Sequence, residues 1–193
     1  MSLIKIALAG EGGQGVQSIA DILAEAAYNE NKQAIYIPNF GIEQRGGVSI
    51  AFIQVSDQRI GAPKFNKADV VIALSERAIS RTAMYSDNNT LFVYDSGLSG
   101  KQEDLPKEAK RLIGIPAVET ANIKLHSRVF NIIIMGAVIG LTEVITFEAA
   151  TKALEKKLGD KFDKDPSLRE LNYKALEIGK NMAKESFEEG VAK

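Results

Sequence analysis

Gly10-Glu11-Gly12-Gly13-Gln14-Gly15-Val16 is the stretch on which the fold turns. Before it runs Ile4-Lys5-Ile6-Ala7-Leu8-Ala9, short, apolar and inclined to strand. After it, Val16, Ile19, Ala20, Leu23, Ala26 and Ala27 recur at helical spacing along the segment from Val16 to Asn31, forming one face of a helix. The order is strand, glycine turn, helix, the context that a G-x-G-x-x-G match requires. Gly10, Gly12 and Gly15 occupy the three template positions. Gly10 allows a tight turn out of the strand, Gly12 and Gly13 let a phosphate approach bare backbone, and Gly15 lets the helix pack close to the sheet. The first amides of the helix then point at the ligand, backed by the positive end of the helix dipole. The candidate ligand-binding residues here are Gly10, Gly12, Gly13, Gln14 and Gly15. The competing reading is a glycine-rich turn that binds nothing.

A nicotinamide dinucleotide asks for more than this turn. Its ribose is held by an Asp or Glu at the end of the second strand, about 20 residues beyond the turn. Here the second strand reads Ala34-Ile35-Tyr36-Ile37 and runs into Pro38-Asn39-Phe40-Gly41, with no acid before Glu43. The turn speaks for phosphate, and the element after it does not speak for NAD.

A second glycine-flanked segment follows: Glu43-Gln44-Arg45-Gly46-Gly47, opening the apolar strand Val48 to Val55. Loops at the carboxyl ends of parallel strands line the ligand crevice of open α/β sheets. Arg45 can pair with a phosphate or carboxylate through two parallel hydrogen bonds, and Gly46 and Gly47 give backbone access. The alternative is a solvated Arg beside a bulge.

Composition narrows the chemistry. At 193 residues the chain can bury one full core, and a single domain spanning 1–193 is expected: a sheet-bearing part to about residue 120 and a helical remainder. Lys plus Arg number 24 against 25 for Asp plus Glu, so no charge excess draws the chain to nucleic acid or an anionic membrane. With no cysteine, disulfides, a thiol nucleophile, Cys-ligated zinc and Cys-held iron–sulfur clusters are excluded. A lone histidine, His126, excludes a multi-His metal site. The absence of cysteine and of a signal-peptide pattern fits the cytoplasm.

Further along, buried-type strands are expected at Val70 to Leu74, Leu91 to Tyr94 and Arg111 to Pro116. Ser75 can cap a helix reaching about Tyr85, and Gly97 to Asp104 reads as polar loop. Val129 to Leu141 is apolar apart from Asn131 and too short to span a bilayer, so it is expected to be a buried helix. Thr146 can cap a helix from Phe147 to Leu158, ended by Gly159; Asp165-Pro166 starts a last helix striped by Leu168, Leu171, Ala175, Ile178 and Met182. The charged tail from Glu185 to Lys193 is expected to fray. The fold class expected is α/β: a Rossmann-like, mostly parallel sheet with helices on both faces and a helical C-terminal portion.

No proton-transfer pair is visible. Asp69, Glu76 and Asp95 lie near strand ends without convergent partners, His126 reads as a surface or capping residue, and Asn131 as a hydrogen-bonding residue inside the core. No catalytic residue and no metal ligand is therefore assigned. Gly136 and Gly140 share one face of their helix, a smooth surface suited either to a homodimer contact or to cover by the last helix, with Leu171, Ala175 and Ile178 as the cover.

The turn Gly10-x-Gly12-Gly13-Gln14-Gly15-Val16 behind the first strand, followed by Gln44-Arg45-Gly46-Gly47 opening a later one, resembles the gamma subunit of 2-oxoacid:ferredoxin (acceptor) oxidoreductases. The same unit is a domain of the single-chain pyruvate enzymes. Ile132 to Ala137 and Asn172 to Gly179 look like the family's as well, so the likeness covers most of the chain. At Gly41-Ile42-Glu43 the sequence departs from the Tyr-Gly-Pro-Glu that many relatives carry.

That resemblance implies a multi-subunit enzyme that oxidatively decarboxylates a 2-oxoacid, 2-oxoglutarate being favoured slightly over pyruvate. The product is an acyl-coenzyme A, with electrons passed to ferredoxin or a related acceptor. It implies alpha, beta and delta-type partner subunits that carry thiamine diphosphate, magnesium and the iron–sulfur clusters. It implies a gamma chain without a redox centre of its own, for which coenzyme A is the possible ligand. The rivals are a free-standing nicotinamide-dependent oxidoreductase of Rossmann type and a binding or regulatory module without chemistry.

Overall fold

Six strands form one sheet in the order β2-β3-β1-β4-β5-β6. They are β1 (Ile4–Glu11), β2 (Gln33–Asn39), β3 (Val48–Ser56), β4 (Val70–Ala73), β5 (Leu91–Asp95) and β6 (Arg111–Ile115). The computed structural model describes residues 3–40 and 47–189. β1, β4, β5 and β6 pair in parallel, while β3 runs antiparallel to both neighbours, β1 and β2. β2 consequently runs the same way as β1, and β3 is the reversed strand between them. The sheet is mostly parallel, as expected, and the order of its first three strands is its own.

The strand Val48–Ser56 is apolar on both faces because it is central. Ala51, Ile53 and Val55 join one core with Ile6, Leu8 and Ile72; Val48, Ile50 and Phe52 join the other with Ala7, Ala9, Val71 and Phe92. The period of two in every strand splits the interior this way.

Among the described residues six α-helices complete the layers: α1 (Val16–Asn29), α2 (Glu76–Thr82), α3 (Ala117–Lys124), α4 (Phe130–Thr142), α5 (Phe147–Lys164) and α6 (Pro166–Glu189). α1 and the C-terminal helices cover the Ile6–Leu8 face, and α2 with two short 3-10 segments covers the opposite one. Ser75 Oγ accepts the Ala78 N–H at 3.2 Å and Thr146 Oγ accepts that of Ala149 at 3.1 Å, so both predicted caps are made. Among the described residues no helix is long and apolar enough to cross a membrane.

Three sequence expectations need correction. Ser96–Asp104 is a 3-10 segment, not open loop. α3 was not anticipated, its eight residues being too few to show a period. α5 does not stop at Gly159: Leu158 and Phe162 carry its apolar stripe on, and Phe162 is fully buried beneath the Arg169 guanidinium, 5.5 Å from the ring centre. The stripe outweighs the roughly 1 kcal/mol that an interior glycine costs a helix.

The smooth face of α4 is filled from within the chain. A Cβ on Gly136 would collide with the Leu176 carbonyl oxygen, and one on Gly140 would meet Lys180 O and Ala183 Cβ at 3.0 Å. The covering residues on α6 are thus Leu176, Gly179, Lys180 and Ala183. The smooth face gives no ground for a homodimer.

Candidate functional site

β1 ends at Glu11, and the chain turns through Gly12 and Gly13 into α1. Gly13 and Gly15 have φ of 91° and 78°, the left-handed region that glycine enters at little cost. Gly12 and Gly13 are exposed, and space around Gly13 is open enough that an added Cβ would touch nothing within 4 Å. Gly10 lies inside β1, fully packed: a Cβ there would meet Gln14 Oε1 at 2.7 Å, Val16 Cγ2 at 2.9 Å and Leu74 Cβ at 3.1 Å. Close packing of helix on strand therefore belongs to Gly10. Gly15 instead makes room for Asn131, whose Nδ2 would clash with a Cβ at that position.

Gln14 closes the turn from inside. Its Oε1 accepts the Glu11 N–H at 2.7 Å, and its Nε2 donates to Leu74 O at 3.0 Å, joining the ends of β1 and β4. Its side-chain amide is spent on the scaffold, so any group this segment could offer a ligand is backbone. Asn131, reaching from α4, donates through Nδ2 to Gln14 O at 3.1 Å; its Oδ1 is buried with no partner among the described residues. The core hydrogen bond expected of Asn131 is made to the glycine turn itself.

α1 begins at Gly15 with no side chain capping it. The N–H groups of Val16, Gln17 and Ser18 have no intrahelical acceptor, because the first such bond runs from Ile19 N–H to Gly15 O at 3.0 Å. No acid occupies the first turn of α1, although Glu11 stands just before the glycines. An uncapped helix start under an exposed glycine pair is a fitting receptor for a phosphate-sized anion.

Sheet order brings Gly47, the last residue of the second glycine segment, to the same place. Glu11 pairs with Val48 and Gly10 with Ser49, so Gly47, half-buried before β3, lies beside the end of β1. Glu43, Gln44, Arg45 and Gly46 lie outside the described residues. The register also bears on NAD: the strand beside β1 is the antiparallel β3, and Val48 stands opposite Glu11 where a dinucleotide site needs an acid. β2 ends at Asn39, one strand further away. The nicotinamide alternative has no ribose-binding carboxylate among the described residues.

The remaining candidates have structural partners. Asp95 is buried and accepts from Gly97 N–H at 2.9 Å and Val118 N–H at 2.7 Å. Asp69 accepts from Lys5 N–H at 2.8 Å. His126 is exposed, and its Nδ1 accepts from Arg128 N–H at 3.1 Å, a capping role. Among the described residues no group of three or more His, Asp or Glu could hold a metal ion.

Sequence reasoning passed over Gln17, Tyr36 and Ser49, which meet at the edge of the same region. Tyr36 Oη donates to Gln17 Oε1 at 2.5 Å, and Gln17 Nε2 donates to Ser49 Oγ at 2.5 Å. Their partners are distant in the chain, and no local pattern announces them.

The protein family described as pyruvate ferredoxin/flavodoxin oxidoreductase matches residues 5–182. The chain is 30% identical over 187 residues to ketoisovalerate oxidoreductase subunit VorA of Methanothermobacter thermautotrophicus, covering 96% of this chain and 37% of that protein. It thus spans little more than a third of that relative's length. Among solved structures it is similar to the gamma subunit of keto/oxoacid ferredoxin oxidoreductase from Geobacter sulfurreducens PCA: TM-score 0.77, 31% identity, 93% of this chain and 98% of that one. It is also similar to 2-oxoglutarate:ferredoxin oxidoreductase from Magnetococcus marinus, solved with 2-oxoglutarate, coenzyme A and succinyl-CoA bound: TM-score 0.85, 25% identity, 95% of this chain and 31% of that one.

Proposed function

The chain belongs to the pyruvate ferredoxin/flavodoxin oxidoreductase family, and from that premise we propose that it is the gamma-type component of a 2-oxoacid:ferredoxin oxidoreductase. In this reading it works as one domain in the cytoplasm, with alpha, beta and delta-type subunits that carry thiamine diphosphate, magnesium and the iron–sulfur clusters. A Cys-held cluster has no ligands here, since the sequence contains no cysteine. Hetero-assembly is preferred to a homodimer, because the α4 face that suggested self-association is occupied by α6.

The contribution proposed for this chain is to hold a phosphate group of coenzyme A, whose thiol accepts the acyl group. The observation that carries it is the uncapped start of α1 below Gly12 and Gly13. Fixed N–H dipoles in that position bind an anion without reorganising, and Arg45, Gly46 and Gly47 are the further residues assigned to the same phosphate. Support comes from the coenzyme A bound in the Magnetococcus marinus enzyme; 2-oxoglutarate is favoured slightly over pyruvate on general resemblance.

Tagged chain recovered from its native extract should bring the larger subunits with it, and the complex should form acyl-coenzyme A from a 2-oxoacid, fastest from 2-oxoglutarate. Gly12→Val should raise the KM for coenzyme A of that complex while the fold persists. Recovery of the chain alone, or an unchanged KM in a folded Gly12→Val complex, would overturn the assembly and the phosphate assignments respectively.

A further inference from the structure

We propose that the cleft at the foot of the sheet binds a free α-amino acid with an aliphatic side chain. The foot is the edge where the parallel strands β1, β4, β5 and β6 begin, opposite the edge that carries the glycine turn. The cleft holds about 350 Å³, at the lower end of the roughly 300–1,000 Å³ range of small-molecule sites. Val70, Leu91 and Arg111 stand side by side on β4, β5 and β6, and neighbours in register share a face of the sheet. That face is the one the C-terminal helices cover, but α4 stops at Thr142, and Leu141 and Thr142 line the cleft from the helix side. Ile4, Leu91 and Leu141 are packed against the core yet only partly buried by the chain itself. They leave an aliphatic lining open to a branched hydrocarbon.

Charge is divided across the cleft. Asp69 lies just before β4; its Oδ2 accepts the Lys5 N–H at 2.8 Å, and a carboxylate's roughly four acceptor positions leave others for an ammonium. Thr142 marks the C-terminal end of α4, whose last turn carries no basic residue, so the negative end of the helix dipole favours a cation on the same side. Across from them, exposed Lys110 and half-buried Arg111 open β6, an ammonium and a guanidinium suited to a carboxylate. β4 and β6 are two strand spacings apart, about 10 Å. An amino-acid head group with a charge-assisted hydrogen bond of about 2.8 Å at each end covers that span. The ammonium goes to Asp69, the carboxylate to Lys110 and Arg111, and the side chain to the aliphatic lining. An α-amino acid differs from the corresponding 2-oxoacid at one carbon, and Asp69 separates the two, because a keto oxygen offers a carboxylate no donor. The assignment does not depend on the phosphate reading of the glycine turn.

Calorimetric titration of the full chain tests this with three probes: leucine, the 2-oxoacid with the same carbon skeleton, and isoamylamine, which keeps the ammonium and lacks the carboxylate. Leucine should bind saturably at millimolar concentration or below, and each analogue, missing one of the two charges, about tenfold more weakly. Asp69→Asn keeps an acceptor for the Lys5 N–H, so it should fold with a Tm close to the parent's while binding leucine about tenfold more weakly. Lys110→Ala, at an exposed position, should fold as the parent does and weaken leucine by a smaller factor. Leucine should raise the Tm of the parent and not that of Asp69→Asn. Absence of saturable leucine binding, or equal affinity for leucine and its 2-oxoacid counterpart, would overturn the proposal. Parental affinity in a folded Asp69→Asn chain would do the same, and if that variant fails to fold, the three probes on the parent decide alone.

Discussion

Gly179 on α6 stands so close to the Ile133 carbonyl on α4 that the two backbones touch, with no room between them for a Cβ. Gly136 faces the Leu176 carbonyl in the same way from the other helix. Backbone cannot swing aside as a side-chain end can. Gly136→Leu should cost about 3 kcal/mol through overpacking. For a chain of this size that lowers Tm by roughly 6–12 °C. Sedimentation of the parent over a wide concentration range should show no dimer depending on this face. A Gly136→Leu chain with parental Tm and altered association would refute the packing.

Gly13 and Gly61 both have open space where a Cβ would go, but only Gly13 has a positive φ, 91°. Gly13→Ala should therefore destabilise by about 1–2 kcal/mol through backbone strain alone. Gly61→Ala should be neutral, or stabilising by about 0.5 kcal/mol through a less free unfolded chain. Urea unfolding of the two variants checks the contrast, and equal effects would contradict it.

Glu30 joins the end of α1 to the start of α5. Its Oε1 accepts the Thr146 N–H at 2.8 Å, and its Oε2 receives Lys32 Nζ at the same distance. Burial raises its pKa, but the hydrogen bonds from Lys32 and Thr146 outweigh this and hold the carboxyl below its ordinary value. A depressed carboxyl contributes stability that is present above the unfolded pKa and lost as pH falls through the folded one. Glu30→Gln should cost about 1 kcal/mol at pH 7. The gap from the parent should shrink below about pH 4.5, the ordinary carboxylate range. Denaturant titrations at pH 7 and pH 3 measure it; a gap of constant size would contradict the ionic contribution.

The purified chain alone should be colourless and should reduce no dye with 2-oxoglutarate or pyruvate and coenzyme A. Its sequence has no cysteine, and Asp69, Asp95 and His126 are engaged with backbone N–H groups. Visible absorbance or turnover by the isolated chain would remove the subunit assignment.

What the sequence determined by itself is local. Gly10 to Val16 between an apolar strand and an amphipathic helix, the caps at Ser75 and Thr146, and the buried strands were legible because each is a pattern of neighbours within one or two turns or a short run. Pairing was not legible. That β3 runs backwards between β1 and β2, putting Val48 opposite Glu11 and Gly47 beside the glycine turn, depends on pairings such as Glu11 with Val48 and Gln33 with Ser56, between residues far apart in the chain. The apolar run of β3 suits either direction equally. The same limit governs the polar groups: Gln17 finds Tyr36 and Ser49, and Asn131 finds Gln14 117 positions away. Gly159 read as a helix stop until Phe162 found its place in the core. The smooth face of α4 was visible in Gly136 and Gly140, but only the arrival of α6 decided what fills it. A spacing records which side chains share a face, and that face acquires a partner only when the whole chain buries its apolar surface together.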